Sequence, residues 1–310
     1  MKWISLLIVL MTVAACSRQD ESTKGATELP GGENGRRIIS TVPAATLNIV
    51  QIGGVNTLVG VSKYDLVSLP ADKQNMPVVG DYEKINYEAL LRLKPTVLIV
   101  QTSPEKIEPR LREVVEREKI ELVNTKLDTL ADLWQTVAML GRVTGKEREA
   151  GEKIALARGQ LKDIAEKVAA RVKNRPKVLY VVGRDPVIVA GGKTFMEEVI
   201  TAAGGINVGA EAGRGYPTIN REVCLRLAPE VILIGQPGAP PEQADDPRVA
   251  EWLDLATPAA KSKRIYVLTD VNGQLATLAI AETVRQIAEL LEPELFKRDA
   301  FGPAPVGEGK

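Results

Sequence analysis

Two pairs of residues that could take part in binding recur at one fixed spacing along this chain. Tyr82 and Glu88 lie 134 positions before Tyr216 and Glu222. The nineteen residues that begin at each of these tyrosines are identical at nine positions. We interpret the match as an internal duplication, which predicts two halves built to one plan. Each half then carries one loop tyrosine, whose ring can stack on a flat ligand, and one acid near a helix start.

The composition excludes several kinds of chemistry. The 310 residues contain no histidine, which removes Ser-His-Asp and Cys-His catalysis and the commonest nitrogen ligand for zinc or haem. The two cysteines, Cys16 and Cys224, are too few for a disulfide framework or a Cys-rich metal site. Forty basic and forty acidic residues cancel, so no net field would hold nucleic acid. We therefore expect no metal site, no resident cofactor and no nucleic-acid partner.

The N-terminal sequence predicts the cellular compartment in which the protein works. A short apolar run after Lys2 ends in Val-Ala-Ala directly before Cys16. The run is too short for a membrane-spanning helix, which needs about 20 apolar residues. The pattern resembles the bacterial lipobox, in which the cysteine is diacylated and becomes the first residue of the mature chain. We expect a lipoprotein signal peptide at 1–16, lipidation at Cys16 and a flexible tether at 17–36. The protein would then be extracytoplasmic and attached to a membrane. An ordinary secretory signal and an uncleaved anchor are the alternatives.

The elements that must position these residues follow an alternating pattern. Short β-branched runs alternate with longer helical stretches, which predicts an α/β fold with mainly parallel sheets. The candidate strands are residues 38–42, 97–101, 178–182, 231–234 and 265–268. Residues 146–173 are rich in helix-forming residues and lack proline, so they predict one long helix of about 40 Å.

This pattern predicts two lobes. We expect an N-terminal α/β lobe at 37–145, an interlobe helix at 146–173, a C-terminal α/β lobe at 174–296 and a disordered tail at 297–310. Open α/β sheets bind ligands at the carboxyl ends of their strands. The predicted site is therefore a cleft between the lobes.

Four stretches resemble one known family in their order and spacing. They are ISTVPAAT at 39–46, LVGVS at 58–62, INYE at 85–88 running into LKP at 93–95, and AGGIN at 203–207. They resemble class III substrate-binding proteins of ABC importers, which take up cobalamin and iron siderophores, and the resemblance covers residues 37–295. It implies two similar lobes that close only slightly, and a monomer that works with an ABC permease and its ATPase. The implied ligand is cobalamin or another corrinoid, with a ferric siderophore next and haem less favoured without histidine.

The resemblance and the spacing together select candidate site residues. The predicted cleft residues are Thr41, Pro43, Tyr64, Tyr82, Arg184, Tyr216, Asp270 and Asn272, with Lys63 and Arg214 as weaker candidates. In the resembled family, glutamates placed like Glu88 and Glu222, one per lobe, pair with arginines on two permease subunits. A simpler explanation is that an acid in the first turn of a helix is stabilised by about 0.3 to 1 kcal/mol by the helix dipole. The residues before them, Asn86 and Asn220, are expected to be N-caps.

Two other functions were weighed against transport. A tethered carboxylate hydrolase such as a glycosidase needs two acids about 5 to 9.5 Å apart. Glu88 and Glu222 lie on helices of different lobes and are not expected to converge, so we predict no catalytic residues. The ligand-binding subunit of a sensor would have the same sequence features. Trp134, Trp252 and Cys224 are expected to be core residues.

Overall fold

The N-terminal lobe is built on a four-stranded parallel sheet. The computed structural model describes residues 35–81, 84–236, 246–270 and 272–295. The strands are β1 (Ile38–Ser40), β2 (Leu58–Gly60), β3 (Val97–Val100) and β4 (Glu121–Asn124). The helices are α1 (Pro43–Gln51), α2 (Tyr87–Arg92), α3 (Pro109–Arg117) and α4 (Leu130–Thr144). The strands lie in the order β2-β1-β3-β4, and all three pairings are parallel.

Two of these strands end earlier than the sequence pattern predicts. β1 ends at Ser40, because Val42 is the extended N-cap of α1 and Pro43 occupies the first helical turn. Proline is favoured there because its fixed φ suits the helix and its missing N–H would have no intrahelical partner. β3 ends at Val100, one residue before the predicted end.

One long helix connects the two lobes. This helix, α5 (Glu147–Arg171), has 25 residues and follows Gly145, which ends α4 in the left-handed conformation with φ of 73°. A Cβ at Gly141 of α4 would lie 2.7 Å from the Cβ of Ala150 of α5, so the two helices pack closely only because residue 141 lacks a side chain. The lobe limits drawn from the sequence stay predictions, although α5 lies where the connecting helix is expected.

The C-terminal lobe is built on a mixed sheet. Its strands are β5 (Lys177–Arg184), β6 (Val187–Val189), β7 (Ile206–Asn207), β8 (Val231–Gly235) and β9 (Ile265–Leu268). Its helices are α6 (Phe195–Ala202), α7 (Arg221–Leu227), α8 (Pro247–Leu253), α9 (Pro258–Ser262) and α10 (Ile280–Leu291). The order is β6-β5-β8-β9, with β7 beside β5, and β6 is antiparallel. β5 is longer than predicted because it forms a hairpin with β6, which brings Arg184 into the strand.

The internal duplication is visible in the backbone. Helix α7 starts 134 residues after the start of α2, and strand β8 starts 134 residues after the start of β3. Lys94 and Ala228 share the same offset, and both are left-handed, with φ of 44° and 46°. Each precedes a proline, which disfavours the right-handed helical conformation for the residue before it. The match in backbone conformation supports the interpretation that the two segments are copies of one unit.

The two lobes share one hydrophobic core. A single cluster of buried side chains includes Ile99 of β3, Leu133 of α4, Val178 of β5 and Ile287 of α10. Two further clusters cover the outer face of each sheet. Trp252 and Cys224 are buried as predicted, at 3% and 2% exposed, whereas Trp134 is only partly buried. In the described residues no helix combines the length and the apolar character needed to cross a membrane.

Candidate ligand cleft

Side chains from one lobe hold the loop that follows β9 of the other. The side-chain amide of Asn48 in α1 donates to the carbonyl of Ala276 at 3.0 Å, and its oxygen accepts from the amide of Leu278 at 3.0 Å. Asn48 is fully buried, so these bonds are shielded from water. Because α1 follows the carboxyl end of β1, and the loop follows the carboxyl end of β9, these bonds join the two sheets at the carboxyl ends of their strands.

A second contact between the lobes lies at the start of α4. The amide of Leu130 donates to Oε1 of Glu198 in α6 at 3.3 Å. Burial raises the pKa of Glu198, and the nearby carboxylate of Asp132 raises it further, although the Leu130 amide opposes both. The lobes are thus connected by hydrogen bonds at two separate places.

The wall of the N-terminal lobe contains Thr41 and Pro43. Thr41 is 2% exposed, and its hydroxyl donates to the carbonyl of Ile99 at 3.1 Å. It lines a small hollow of about 110 Å³ together with Asp81 and other residues from the ends of β3 and α3. Pro43 lies at the start of α1 and is half-buried. Thr41 therefore shapes the wall, while its hydroxyl is already used by the backbone.

Tyr64 lies on the loop after β2 and is exposed to solvent. Its side chain is 48% exposed, and Nζ of Lys63 lies 4.8 Å from the ring centroid. The same Nζ forms an ion pair with Oδ2 of Asp81 at 2.8 Å, which holds the ammonium beside the ring. Tyr82, the next residue after Asp81, lies outside the described residues. The structure therefore links Tyr64 to Asp81 through Lys63.

Tyr216 lies on a loop that backbone hydrogen bonds fix to the start of α6. The amide of Gly191 donates to the carbonyl of Gly215 at 2.8 Å, and the amide of Gly192 donates to that of Gly213 at 2.8 Å. A Cβ at Gly191 would lie 2.4 Å from the Gly213 carbonyl oxygen, so this approach requires glycine. The loop holds a tyrosine that is 45% exposed, which is an unusual exposure for so rigid a support.

The phenol of Tyr216 lies within electrostatic range of the other lobe. Burial of its hydroxyl end raises its pKa to about 12, and the charge of Asp128 contributes in the same direction. Asp128 lies in the loop between β4 and α4 of the N-terminal lobe. Burial raises the pKa of Tyr180 of β5, and Tyr216 contributes in the same direction. The Tyr180 hydroxyl is 3.4 Å from the Gly273 carbonyl, on the segment that contains Asn272.

The other predicted cleft residues in the C-terminal lobe are Arg184, Asp270 and Asn272, and their positions give weaker support for a contact with ligand. Arg184, the last residue of β5, forms an ion pair at 3.3 Å with Glu251 of α8 and is therefore directed toward α8. Asp270 is exposed after β9, at the carboxyl end of the strand. Asn272 begins a short 3-10 helix beside it. Arg184 was predicted in a loop after the strand, and this placement is wrong, since the β5–β6 hairpin continues through it.

Glu88 and Glu222 lie at corresponding helix starts. Both are exposed and occupy the second position of α2 and α7. The side-chain oxygen of Asn86 accepts from the Ala89 amide at 3.1 Å, and that of Asn220 accepts from the Val223 amide at 2.9 Å. Both predicted N-caps are confirmed. The two acids are thus held in matching positions, one per lobe, without an ion pair among the described residues.

Sequence reasoning missed Asp128 and Gln236. Asp128 follows β4, whose sequence ELVN has no clear alternation and was not selected as a strand. Gln236 follows β8, and its side-chain oxygen is buried without a hydrogen bond among the described residues. A rule that selects polar residues after every strand would have found Gln236. Cys16 lies outside the described residues, which also contain no cluster of three or more residues able to hold a metal ion.

A larger hollow of about 560 Å³ lies elsewhere. It follows the edge strand β9 between α8 and α10 and is lined mostly by apolar side chains, such as Leu253 and Leu290. None of the predicted site residues lines it. It is on the outer edge of the C-terminal lobe, far from the loops that connect the lobes, so size alone does not identify the site.

Comparison with known proteins identifies the family. The family described as periplasmic binding protein matches residues 38–271, which is most of the chain. The chain is 28% identical over 303 residues to the high-affinity heme uptake system protein IsdE of Staphylococcus aureus, with 93% of this chain and 97% of that protein covered. It is 25% identical over 320 residues to YvrC, an uncharacterized ABC transporter substrate-binding lipoprotein of Bacillus subtilis, with 95% and 98% covered.

Solved structures share the fold. The periplasmic heme-binding protein RhuT of Roseiflexus matches with a TM-score of 0.70 and 23% identity, covering 86% of this chain and all of that chain. The vitamin B12 binding protein BtuF of Vibrio cholerae matches with a TM-score of 0.69 and 22% identity, covering 83% and 97%. The predicted two-lobed α/β fold is confirmed. The chain belongs to the periplasmic binding protein family, whose members act outside the cytoplasm and bind ligands without transforming them.

Proposed function

We propose that this chain is the substrate-binding subunit of an ABC importer, and that its ligand is a bulky metal complex. The observation that carries the proposal is the placement of Tyr216. Its ring is 45% exposed on a loop braced by glycine backbone bonds, and its phenol lies within electrostatic range of Asp128 of the other lobe. Tyr64 presents a second ring, 48% exposed, from the N-terminal lobe. Two exposed aromatic faces on rigid supports suit a flat, extended ligand.

The ligand class follows from chemistry and from the named relatives. IsdE and RhuT are named for heme, and BtuF is named for vitamin B12. Both molecules are metal-centred macrocycles with large flat faces, and a ferric siderophore is a third candidate of comparable bulk. The absence of histidine favours a corrinoid, whereas a tyrosine phenolate can ligate ferric haem iron. We propose a corrinoid or haem as the ligand, with a ferric siderophore as the alternative.

Tyr216 is expected to contact the ligand in its neutral, protonated form. Because burial and Asp128 raise its pKa to about 12, the phenol keeps its proton at neutral pH. A neutral phenol offers a stacking face and one hydrogen-bond donor. Coordination of a ferric ion by this oxygen would require the proton to leave, which the charge of Asp128 opposes. The raised pKa therefore favours stacking and hydrogen bonding by Tyr216 over coordination.

Delivery to the permease is assigned to Glu88 and Glu222. Each acid is exposed at a capped helix start, and the duplication places one on each lobe. An importer with two related permease subunits would present the same basic site twice, and two charges on a rigid chain would act as a bivalent clamp. We propose further that Cys16 carries the lipid anchor that keeps the protein at the membrane.

The proposal is tested by offering the three ligand classes to the protein without its signal peptide. Native mass spectrometry and visible spectra are recorded with cyanocobalamin, haemin and ferric siderophores. We expect the protein to form a one-to-one complex with one of the three ligand classes. The complex should remain bound at a protein concentration of about micromolar. If none of the three classes binds, the assignment of a bulky metal complex is wrong. If binding is seen but a reconstituted permease is not stimulated, a sensor subunit becomes the better assignment.

A further inference from the structure

A buried carboxylate lies directly beneath the Tyr64 loop and has no role in the proposed binding. Asp65 is fully buried, and its Oδ2 accepts from the amide of Ser62 at 2.8 Å. Its Oδ1 is buried and makes no hydrogen bond among the described residues. A buried carboxylate oxygen without a partner costs free energy, so its retention needs a compensating benefit.

The bonds of Asp65 are confined to the loop that presents Tyr64. Asp65 accepts from Ser62, three residues earlier, and the hydroxyl of Ser62 in turn accepts from the amide of Tyr64 at 3.2 Å. The amide of Asp65 also donates to the carbonyl of Ser62 at 3.2 Å. These three bonds close residues 62–65 into one tight turn, the arrangement that aspartate and asparagine side chains favour.

The turn is fixed to the lobe and leaves two side chains outside. The amide of Lys63 donates to the carbonyl of Gly80 at 3.1 Å, which ties the turn to the segment before Asp81. Lys63 and Tyr64, the two central residues, are both exposed. Burial raises the pKa of Asp65, and the bonds from Ser62 and the hydroxyl of Thr46 in α1 oppose that shift. The Thr46 hydroxyl itself lies outside hydrogen-bond geometry. Asp65 therefore contacts the cleft only through the residues it orders.

We infer that Asp65 is a positioning residue, whose buried side-chain oxygen holds the 62–65 turn so that the Tyr64 ring faces the ligand. The inference rests on the proposed function, since Tyr64 must contact ligand for its position to matter. To hold the turn, residue 65 needs an acceptor oxygen on its Cγ atom. It does not need a negative charge. Asparagine has the same acceptor, and its NH₂ group can also donate to the Thr46 hydroxyl.

The test is a set of matched variants titrated with cyanocobalamin and haemin. Tyr64→Ala removes a stacking face and should weaken binding of the active probe by about 2- to 10-fold. Asp65→Ala should weaken binding by a similar factor, whereas Asp65→Asn should stay within about 2-fold of the wild type. In the double variant Tyr64→Ala with Asp65→Ala, the loss should equal that of Tyr64→Ala alone, because no ring is left to position.

Controls separate positioning from general loss of stability. Thr57→Ala removes another buried hydrogen bond of this lobe, from its hydroxyl to the Gly54 carbonyl at 2.7 Å, and should lower the melting temperature without changing affinity. If Asp65→Ala does not fold, Ser62→Ala serves instead, since it removes the hydroxyl that accepts from the Tyr64 amide and also bonds the Asp65 carboxylate. Hydrogen exchange of the Tyr64 amide should be faster in Asp65→Ala and unchanged in Asp65→Asn.

Several outcomes would overturn the inference. Unchanged ligand affinity in Asp65→Ala would do so. Equal losses of affinity in Asp65→Ala and Asp65→Asn would also do so. A third such outcome is a double variant in which the two single losses of affinity multiply. Unchanged affinity in Tyr64→Ala would also do so, because the ring would then not be a contact. If the wild-type protein binds neither probe, the proposed ligand fails, while the exchange measurement still decides whether Asp65 orders the turn.

Discussion

Asp128 of the N-terminal lobe raises the pKa of Tyr216 in the C-terminal lobe. The two residues are 88 positions apart in sequence (216 − 128 = 88), and they belong to loops of different sheets. An effect of this kind requires proximity, because charge interactions weaken with distance and are screened by water and salt. The exposed tyrosine of one lobe therefore lies within electrostatic range of a carboxylate of the other lobe.

Replacing Asp128 should lower the pKa of Tyr216. In the wild type burial and the Asp128 charge raise it from 10 to about 12. Asp128→Asn removes the smaller cause, so the pKa should fall but remain above 10. Phenolate absorbance is followed from pH 8 to 13, with Tyr216→Phe used to assign the transition. Asp163→Asn, on α5, serves as the control. An unchanged Tyr216 transition in Asp128→Asn would show that the two side chains do not interact.

Removing the cleft tyrosines should weaken binding with little effect on stability. Tyr216→Ala removes a ring that is 45% exposed, so the loss should be about 0.5 to 1.5 kcal/mol beyond that of the lost contact area. The duplication predicts the same for Tyr82→Ala. Tyr266→Ala, in the hollow beside β9, is the matched control and should leave affinity unchanged. Equal affinity of Tyr216→Ala and wild type would mean that the ring does not contact the ligand.

Two glycine substitutions should change stability in opposite directions. At Gly191 an added Cβ would lie 2.4 Å from the Gly213 carbonyl oxygen, so Gly191→Ala should destabilise the protein by about 1 to 3 kcal/mol and shift the Tyr216 loop. At Gly159 of α5 an added Cβ meets nothing within 4 Å, so Gly159→Ala should stabilise by about 0.5 to 1 kcal/mol. Urea unfolding measures both, and ligand affinity should fall only in Gly191→Ala. Two variants of equal stability would contradict the described loop packing.

Reversing the charge of Glu88 or Glu222 should separate binding from delivery. Both side chains are exposed, so Glu88→Lys and Glu222→Lys should fold and bind ligand normally. Like charges would then meet at the permease, which should slow association, most visibly at low ionic strength. Ligand uptake into vesicles that contain the importer measures the effect, with Glu230→Lys as an exposed control. Normal uptake by both variants would show that the glutamates do not dock to the permease and only stabilise the starts of their helices.

Changing Cys16 should release the protein from the membrane. In the proposed lipoprotein the thiol is the only attachment point for the diacylglycerol, so Cys16→Ser should appear in the soluble fraction or remain unprocessed. Intact mass of the mature wild-type protein checks the same point. A mature chain without acyl mass would exclude lipidation at this cysteine, while leaving the binding function untouched.

The sequence by itself determined the elements and the duplication. Short β-branched runs placed all five predicted strands within two residues of their ends, and the asparagine N-caps were read correctly because caps act over three residues. The offset of 134 predicted the duplication, and the backbone repeats it in two helices, two strands and the left-handed residues Lys94 and Ala228. These features are local, so a window of a few residues contains the interactions that produce them.

Only the tertiary structure decided which side chains meet. Arg184 was assigned to the cleft because it follows a strand, yet it pairs with Glu251 of α8, 67 positions away (251 − 184 = 67). Asp128 was overlooked, although folding places it beside Tyr216. No local pattern encodes such pairs, because they depend on how two sheets and the connecting helix pack. The sequence therefore predicts where a cleft forms, and the packing of the lobes determines which residues face it.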